Sequence, residues 1–113
     1  MRTVAQYLSI AALLLGVVAP TSIDAQDSPT VSVQDDAFVP SRVEFTAGTT
    51  LTWTLEGAEQ HTITADDGSF DSGIVNPGGT FVHVFDTAAT IPYYCQIHGA
   101  PGGIGMAGVI VVG

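Results

Sequence analysis

Four residues with metal-ligating side chains follow a defined order along this sequence. Cys95 comes at the end of a β-forming run, His98 follows after two residues, and Met106 follows after a further seven residues rich in glycine. His61 lies far upstream, at the start of another short run of this kind. Since Cys95 is the single cysteine, it cannot form an intramolecular disulfide, and this favours a metal as its partner.

The ligand types indicate one redox-active metal ion. Two imidazoles and one thiolate in a trigonal arrangement, with a long and weak thioether contact, make the blue-copper electron-transfer site. Thiolate and thioether suit Cu(I) and imidazole suits Cu(II), so a mixed set can serve both states with little movement. Such a set leaves no position for a substrate, which predicts an electron carrier and not an enzyme. The expected copper ligands are His61, Cys95, His98 and Met106.

Each of these residues also has an ordinary structural explanation. Cys95 taken alone could be a buried free thiol, because free cysteine packs like a small hydrophobic residue. A histidine at a strand end is more often a surface residue than a ligand, and Met106 could belong to the core. The order of all four favours the metal site. His83 lies inside a separate expected strand, and we interpret it as a packing or surface residue outside the site.

The remainder of the sequence predicts an all-β domain. Short runs of Thr, Val, Ile and aromatic residues are separated by Gly, Pro, Asn and Asp, which is typical of short strands joined by turns. Leu51, Trp53 and Leu55 alternate with threonines, as in a half-buried strand. Seven or eight strands at this spacing predict a two-sheet β-sandwich. Strands are expected at 30–34, 42–46, 49–55, 61–64, 80–86, 90–96 and 107–112, with a glycine-rich loop over 98–105.

The first 25 residues have the pattern of a secretory signal. Arg2 precedes an apolar run at 8–19, and a short polar stretch closes on the small residue Ala25. A spanning helix needs about 20 apolar residues, so the run is too short for a membrane anchor. We therefore expect a signal peptide at 1–25 and one domain at 26–113, exported to the periplasm, the cell exterior or the outer face of the cytoplasmic membrane.

The charge of the chain is strongly one-sided. Eleven acidic residues stand against two arginines, and the net charge is −9. Nucleic acid and anionic membranes are therefore poor partners, whereas a basic protein partner is compatible with this charge.

These residues together resemble the cupredoxins, in particular the small plastocyanin-like and amicyanin-like members. Residues 38–53 look like the second and third strands of that family, and His61-Thr62 looks like its first histidine ligand and the neighbouring residue. Tyr94-Cys95-x-x-His98, followed by Gly-Met-x-Gly and a valine-rich strand, looks like its ligand loop and last strand. The resemblance covers roughly residues 31–112. It implies an eight-stranded Greek-key sandwich that binds one type 1 copper ion and shuttles single electrons between larger redox proteins outside the cytoplasm.

The sequence also leads to expectations about partners. Electrons would pass through the His98 imidazole, and the nearly uncharged residues 99–104 would dock against a redox partner. No small-molecule substrate is expected, and the domain is expected to be a monomer. The gap between His98 and Met106 is longer than in typical plastocyanins. Two alternatives stay open at this point: a copper storage or delivery protein on the same fold, and a metal-free exported β-sandwich.

Overall fold

The computed structural model describes residues 28–113, and the expected signal at 1–25 lies outside the described residues. Residues 28–113 form eight strands and no helix. No helix able to cross a membrane was found in this part of the chain. The strands are β1 (Thr30–Val33), β2 (Phe38–Val39), β3 (Arg42–Phe45), β4 (Thr49–Leu55), β5 (Thr64–Ala65), β6 (Thr80–Phe85), β7 (Ala89–Ala100) and β8 (Ile104–Val112).

The strands form two four-stranded sheets, with the orders β2-β1-β4-β6 and β3-β8-β7-β5. β1 pairs in parallel with β4, and β3 pairs in parallel with β8, while the other pairs are antiparallel. β1–β2 and β7–β8 are pairs of consecutive strands, and between β2 and β7 the chain passes from one sheet to the other at every connection, as a Greek-key arrangement requires. The predicted all-β sandwich is confirmed.

The core lies between the two sheets and is built on alternation along the strands. In β4, Leu51, Trp53 and Leu55 are buried, and the threonines between them are only half-buried. The Trp53 ring is the centre of an aromatic cluster, with ring centroids 5.4 to 6.3 Å from those of Phe70, Phe81, Phe85 and Tyr93. Side chains of this size bury much apolar surface, and burial of that surface is the main stabilising term in so small a domain.

The expected strand at 61–64 is wrong in its position, because β5 comprises only Thr64 and Ala65. His61 instead forms an isolated bridge, in which its N–H and C=O bond the backbone of Val75 at 3.1 and 2.8 Å. The N–H of Ile63 donates to the side-chain oxygen of Ser72 at 2.8 Å. The loop that contains Ser72 and Val75 thus supplies hydrogen-bond partners for the backbone of His61 and Ile63. These groups are satisfied without a neighbouring strand, so no regular strand pairing is needed here.

The expected loop at 98–105 is also wrong, since β7 continues to Ala100 and β8 begins at Ile104. The segment is a β-hairpin in which Gly99 pairs with Gly105 and Ala100 with Ile104. Gly102 and Gly103 have φ of +93° and +77°, which glycine adopts at little cost in a tight turn. The turn is tied to the end of β5 by a hydrogen bond from the Gly102 N–H to the Asp66 carboxylate at 2.9 Å.

Candidate metal centre

Three of the four expected ligands converge at one end of the sandwich. The Cys95 Sγ atom lies 3.8 Å from Nδ1 of His61 and 3.6 Å from Nδ1 of His98. One ligand atom from each of the three residues lies within 4.8 Å of the other two. The two imidazole rings are adjacent, with centroids 4.9 Å apart. Both rings therefore present the same nitrogen, Nδ1, to one buried sulfur atom.

An irregularity in the β7–β8 ladder brings Cys95 and His98 together. The register is regular up to Tyr94, which pairs with Ala107, and it shifts before Gly99. Residues in regular β-structure point alternately to opposite faces, so side chains three positions apart would diverge. A local bulge redirects side chains, and here it aims both Cys95 and His98 at the same point. The Cys95 side chain is buried, while His98 keeps 29% of its side chain exposed.

Thr62 joins the His61 segment to the Cys95 strand. Its N–H points at the Cys95 sulfur at 3.4 Å, and its Oγ1 accepts a hydrogen bond from the Gln96 N–H at 2.8 Å. Thr62 is buried, so its contact with the sulfur is shielded from water, whereas the contact with Gln96 is only partly buried. Sequence reasoning did not assign Thr62 a role. Its position directly after the expected ligand His61 was the one feature of the sequence that could have drawn attention to it.

Two carboxylates face the outward nitrogen atoms of the histidines. Asp35 Oδ1 lies 3.5 Å from Nε2 of the fully buried His61, and Glu59 Oε1 lies 3.0 Å from Nε2 of His98. The same Asp35 oxygen accepts the N–H groups of Glu59 at 3.0 Å and Ala58 at 2.8 Å. The amide of Glu59 is the main reason why the pKa of Asp35 is lowered. Sequence reasoning missed both carboxylates, because each is distant from its histidine in the sequence and only the fold brings the two together.

Met106 and His83 have different surroundings. Met106 is buried in the same hydrophobic core as Cys95, and its backbone runs directly against Gly99 in the hairpin. This places Met106 at the end of the sandwich that carries the cluster, and its role as a thioether ligand stays a prediction. His83 is half-buried on β6, with ring centroids 4.8 Å from Phe85 and 5.1 Å from Phe70. It packs against aromatic residues and is not part of the cluster.

The donor set fits copper. A single thiolate and two imidazoles match the trigonal His₂Cys arrangement of blue-copper sites. Structural zinc sites have four tetrahedral ligands, usually with more than one cysteine, and thioether sulfur is not among their usual donors. Each imidazole also has a carboxylate facing its second nitrogen, a common outer-shell arrangement for metal-binding histidines.

The fold matches solved structures of cupredoxins. A purple cupredoxin from Nitrosopumilus maritimus superposes with a TM-score of 0.66 at 26% identity, over 75% of this chain and 99% of that one. Amicyanin from Paracoccus versutus superposes with a TM-score of 0.63 at 20% identity, over 77% of this chain and 82% of that one. A copper-containing nitrite reductase from Thermus scotoductus shares the fold, with a TM-score of 0.67 at 22% identity, over 76% of this chain but only 22% of the reductase. Fold and cluster together place the protein among the cupredoxins.

Sequence comparison identifies the family within that class. The chain is 35% identical over 86 residues to plastocyanin from Scenedesmus fuscus, covering 66% of this chain and 85% of that protein. It is 31% identical to the chloroplastic plastocyanin of Tetradesmus obliquus, of which it spans 57%. No protein-family model matches the chain. The chain belongs to the plastocyanin family, and the resemblance seen in the sequence is confirmed.

Proposed function

We propose that the protein is a mononuclear type 1 copper protein that carries single electrons between larger redox proteins. The observation that carries this proposal is the convergence of one buried thiol and two imidazoles, with the sulfur 3.6 and 3.8 Å from the two Nδ1 atoms. The proposed copper ligands are His61, Cys95, His98 and Met106.

A bound copper ion would supply a one-electron couple, and the protein supplies a rigid set of donors. Cys95 is held by the Thr62 N–H, and His61 is anchored by two backbone hydrogen bonds to Val75. These contacts join neighbouring segments across the end of the sandwich. Fixed donors reduce the movement that accompanies a change of oxidation state, which is what an electron carrier requires.

The number of metal sites supports a carrier over a catalytic copper enzyme. Within residues 28–113, one group of three His, Cys, Asp or Glu side chains converges, and it is the cluster of His61, Cys95 and His98. The remaining histidine, His83, packs among aromatic rings instead of joining a second group. One mononuclear site is suited to electron transfer and leaves no second metal for a substrate.

The proposed docking face surrounds His98. Its side chain is 29% exposed, Ile97 precedes it directly in the chain and the hairpin tip follows it, and Ile97 and Ile104 are 49% and 62% exposed. Exposed apolar side chains around a redox ligand suit contact with a second protein that excludes water. The net charge of −9 would attract a basic partner at low ionic strength. Action as a monomer, and export directed by residues 1–25, are parts of the same proposal.

An absorption spectrum of the domain after addition of Cu(II) tests the proposal. We expect an intense visible thiolate-to-copper band that ascorbate bleaches and that reappears on reoxidation. The band should be absent from Cys95→Ser and present in His83→Gln, which removes a histidine outside the cluster. A colourless wild-type protein would contradict the proposal. Copper that dissociates on each reduction would instead favour a delivery protein, so copper retention should be measured over repeated cycles.

A further inference from the structure

The carboxylate of Glu59 occupies the outward edge of His98, where a solvent-facing nitrogen would otherwise bind water. Its Oε1 atom lies 3.0 Å from Nε2 of His98, which is hydrogen-bond distance for an N–H donor. The opposite nitrogen of the ring, Nδ1, faces the Cys95 sulfur at 3.6 Å. With Nδ1 directed to the proposed copper, Nε2 must carry the ring proton, and the Glu59 carboxylate lies within reach to accept it.

The backbone of Glu59 is itself held in place by Asp35. One Asp35 oxygen accepts the N–H groups of Ala58 and Glu59 and also faces His61. Gly57 allows this approach, because a side-chain carbon at that position would collide with the Asp35 carboxylate. The loop at 56–60 is therefore tied to the cluster at two points, by Asp35 at its backbone and by the Glu59 side chain at His98.

We propose that Glu59 is a positioning residue for His98 that also shifts the balance between the two oxidation states of the proposed copper site toward Cu(II). A hydrogen-bonded carboxylate fixes the ring orientation and makes the imidazole a stronger donor. Its negative charge also favours the more positive ion. The side chain of Glu59 is 58% exposed, so solvent and salt weaken the effect of its charge. This inference rests on the proposed copper function.

Two variants of Glu59 separate its charge from its hydrogen bond. Glu59→Gln removes the charge but keeps an oxygen that can accept the Nε2 proton, whereas Glu59→Ala removes both. Glu56→Gln is the matched control, because Glu56 lies three residues upstream, bears the same charge and bonds Ser32 Oγ at 2.7 Å instead of a histidine. Differences between Glu59→Gln and Glu56→Gln then report the specific contact and not the net charge.

The first measurement is the reduction potential of the copper-loaded proteins. Loss of an outer-shell partner typically changes metal affinity by about 10-fold or more, and a 10-fold loss of preference for Cu(II) corresponds to a rise of about 59 mV for one electron. We expect a rise of this order in Glu59→Ala, which loses the partner altogether. Glu59→Gln loses only the charge and should show a smaller rise, which still exceeds the rise in Glu56→Gln, and the difference in potential between these two variants should narrow at high salt. Equal potentials in the Glu59→Gln and Glu56→Gln proteins would overturn the role of the Glu59 charge.

The second measurement is the proton NMR signal of His98 Nε2–H in the diamagnetic Cu(I) protein. A hydrogen-bonded ring proton exchanges slowly with water, so we expect the signal in the wild type and in Glu59→Gln but not in Glu59→Ala. A persistent signal in Glu59→Ala would overturn the positioning role. Equal potentials or a persistent NMR signal would overturn the role of Glu59 even if the visible copper band is intact. A wild-type protein without that band would instead overturn the proposed function itself.

Discussion

The carbonyl oxygen of His98 lies 2.5 Å from the point where a Cβ atom on Gly105 would be placed. Opposite it, a Cβ on Gly99 would lie 2.8 Å from the Met106 nitrogen. The two strands of the hairpin can approach this closely only because both positions lack a side chain. The long segment between His98 and Met106 therefore folds back on itself as a hairpin, and this brings His98 and Met106 onto neighbouring strands.

Replacement of Gly105 by alanine should disrupt the hairpin at the metal site. The new methyl group would collide with the His98 backbone, and φ of +68° is unfavourable for a side chain. We expect a lower Tm and a weakened or shifted copper band. Gly103→Ala is the control, since its φ is +77° but nothing lies within 4 Å of the added carbon. It should cost about 1–2 kcal/mol from backbone strain and leave the spectrum unchanged. Equal spectral changes in both variants would contradict this account.

Two substitutions at Met106 should shift the reduction potential in opposite directions if its sulfur is the weak axial ligand. Met106→Gln offers a harder oxygen donor, which favours Cu(II) and lowers the potential. Met106→Leu removes the fourth donor, which favours the lower coordination number of Cu(I) and raises the potential. Voltammetry of both variants is the measurement. Met106→Leu conserves volume at a buried site, so its stability cost should stay below about 1.5 kcal/mol. Unchanged potentials in both would remove Met106 from the ligand set.

Thr62→Val should destabilise the domain more than the same substitution on the outer face of the sandwich. The substitution leaves the Gln96 N–H without its acceptor in a partly buried position, at a cost of about 1–3 kcal/mol. Thr52→Val is the matched control, because Thr52 is half-buried on β4 and keeps its backbone hydrogen bonds. Chemical denaturation of both variants gives the comparison. Equal free energies of unfolding would show that the Thr62 hydroxyl does not hold the two segments together.

Ile104→Asp should slow electron transfer to the redox partner while the copper spectrum stays intact. Ile104 is exposed at the hairpin tip, where an added charge would have to be desolvated on docking. Val84→Asp is the control, since Val84 is similarly exposed but lies on β6 in the other sheet. Stopped-flow kinetics with the partner at constant ionic strength gives the rate. Equal rates in the two variants would exclude the hairpin tip from the docking face.

The strands and the expected ligand segment of this protein could be predicted from patterns that are local in the sequence. Alternation at Leu51, Trp53 and Leu55 is a direct consequence of strand geometry, so the half-buried β4 could be predicted with its observed bounds. The spacing of Cys95, His98 and Met106 also indicated a ligand segment, because few other functions need a lone thiol beside an imidazole. Short strands with turn residues between them were enough to predict a sandwich.

Only the tertiary structure decided the parts that depend on contacts between distant segments. Gly99 and Gly105 were interpreted as part of a glycine-rich loop, yet they pair across a hairpin, because close backbone approach is a property of two segments and not of one. His61 was expected within a strand, but a backbone bridge to Val75 holds it instead. The contacts of Asp35 with His61 and of Glu59 with His98 were invisible for the same reason: carboxylates are common on acidic surfaces, and only the folded chain shows which ones meet an imidazole.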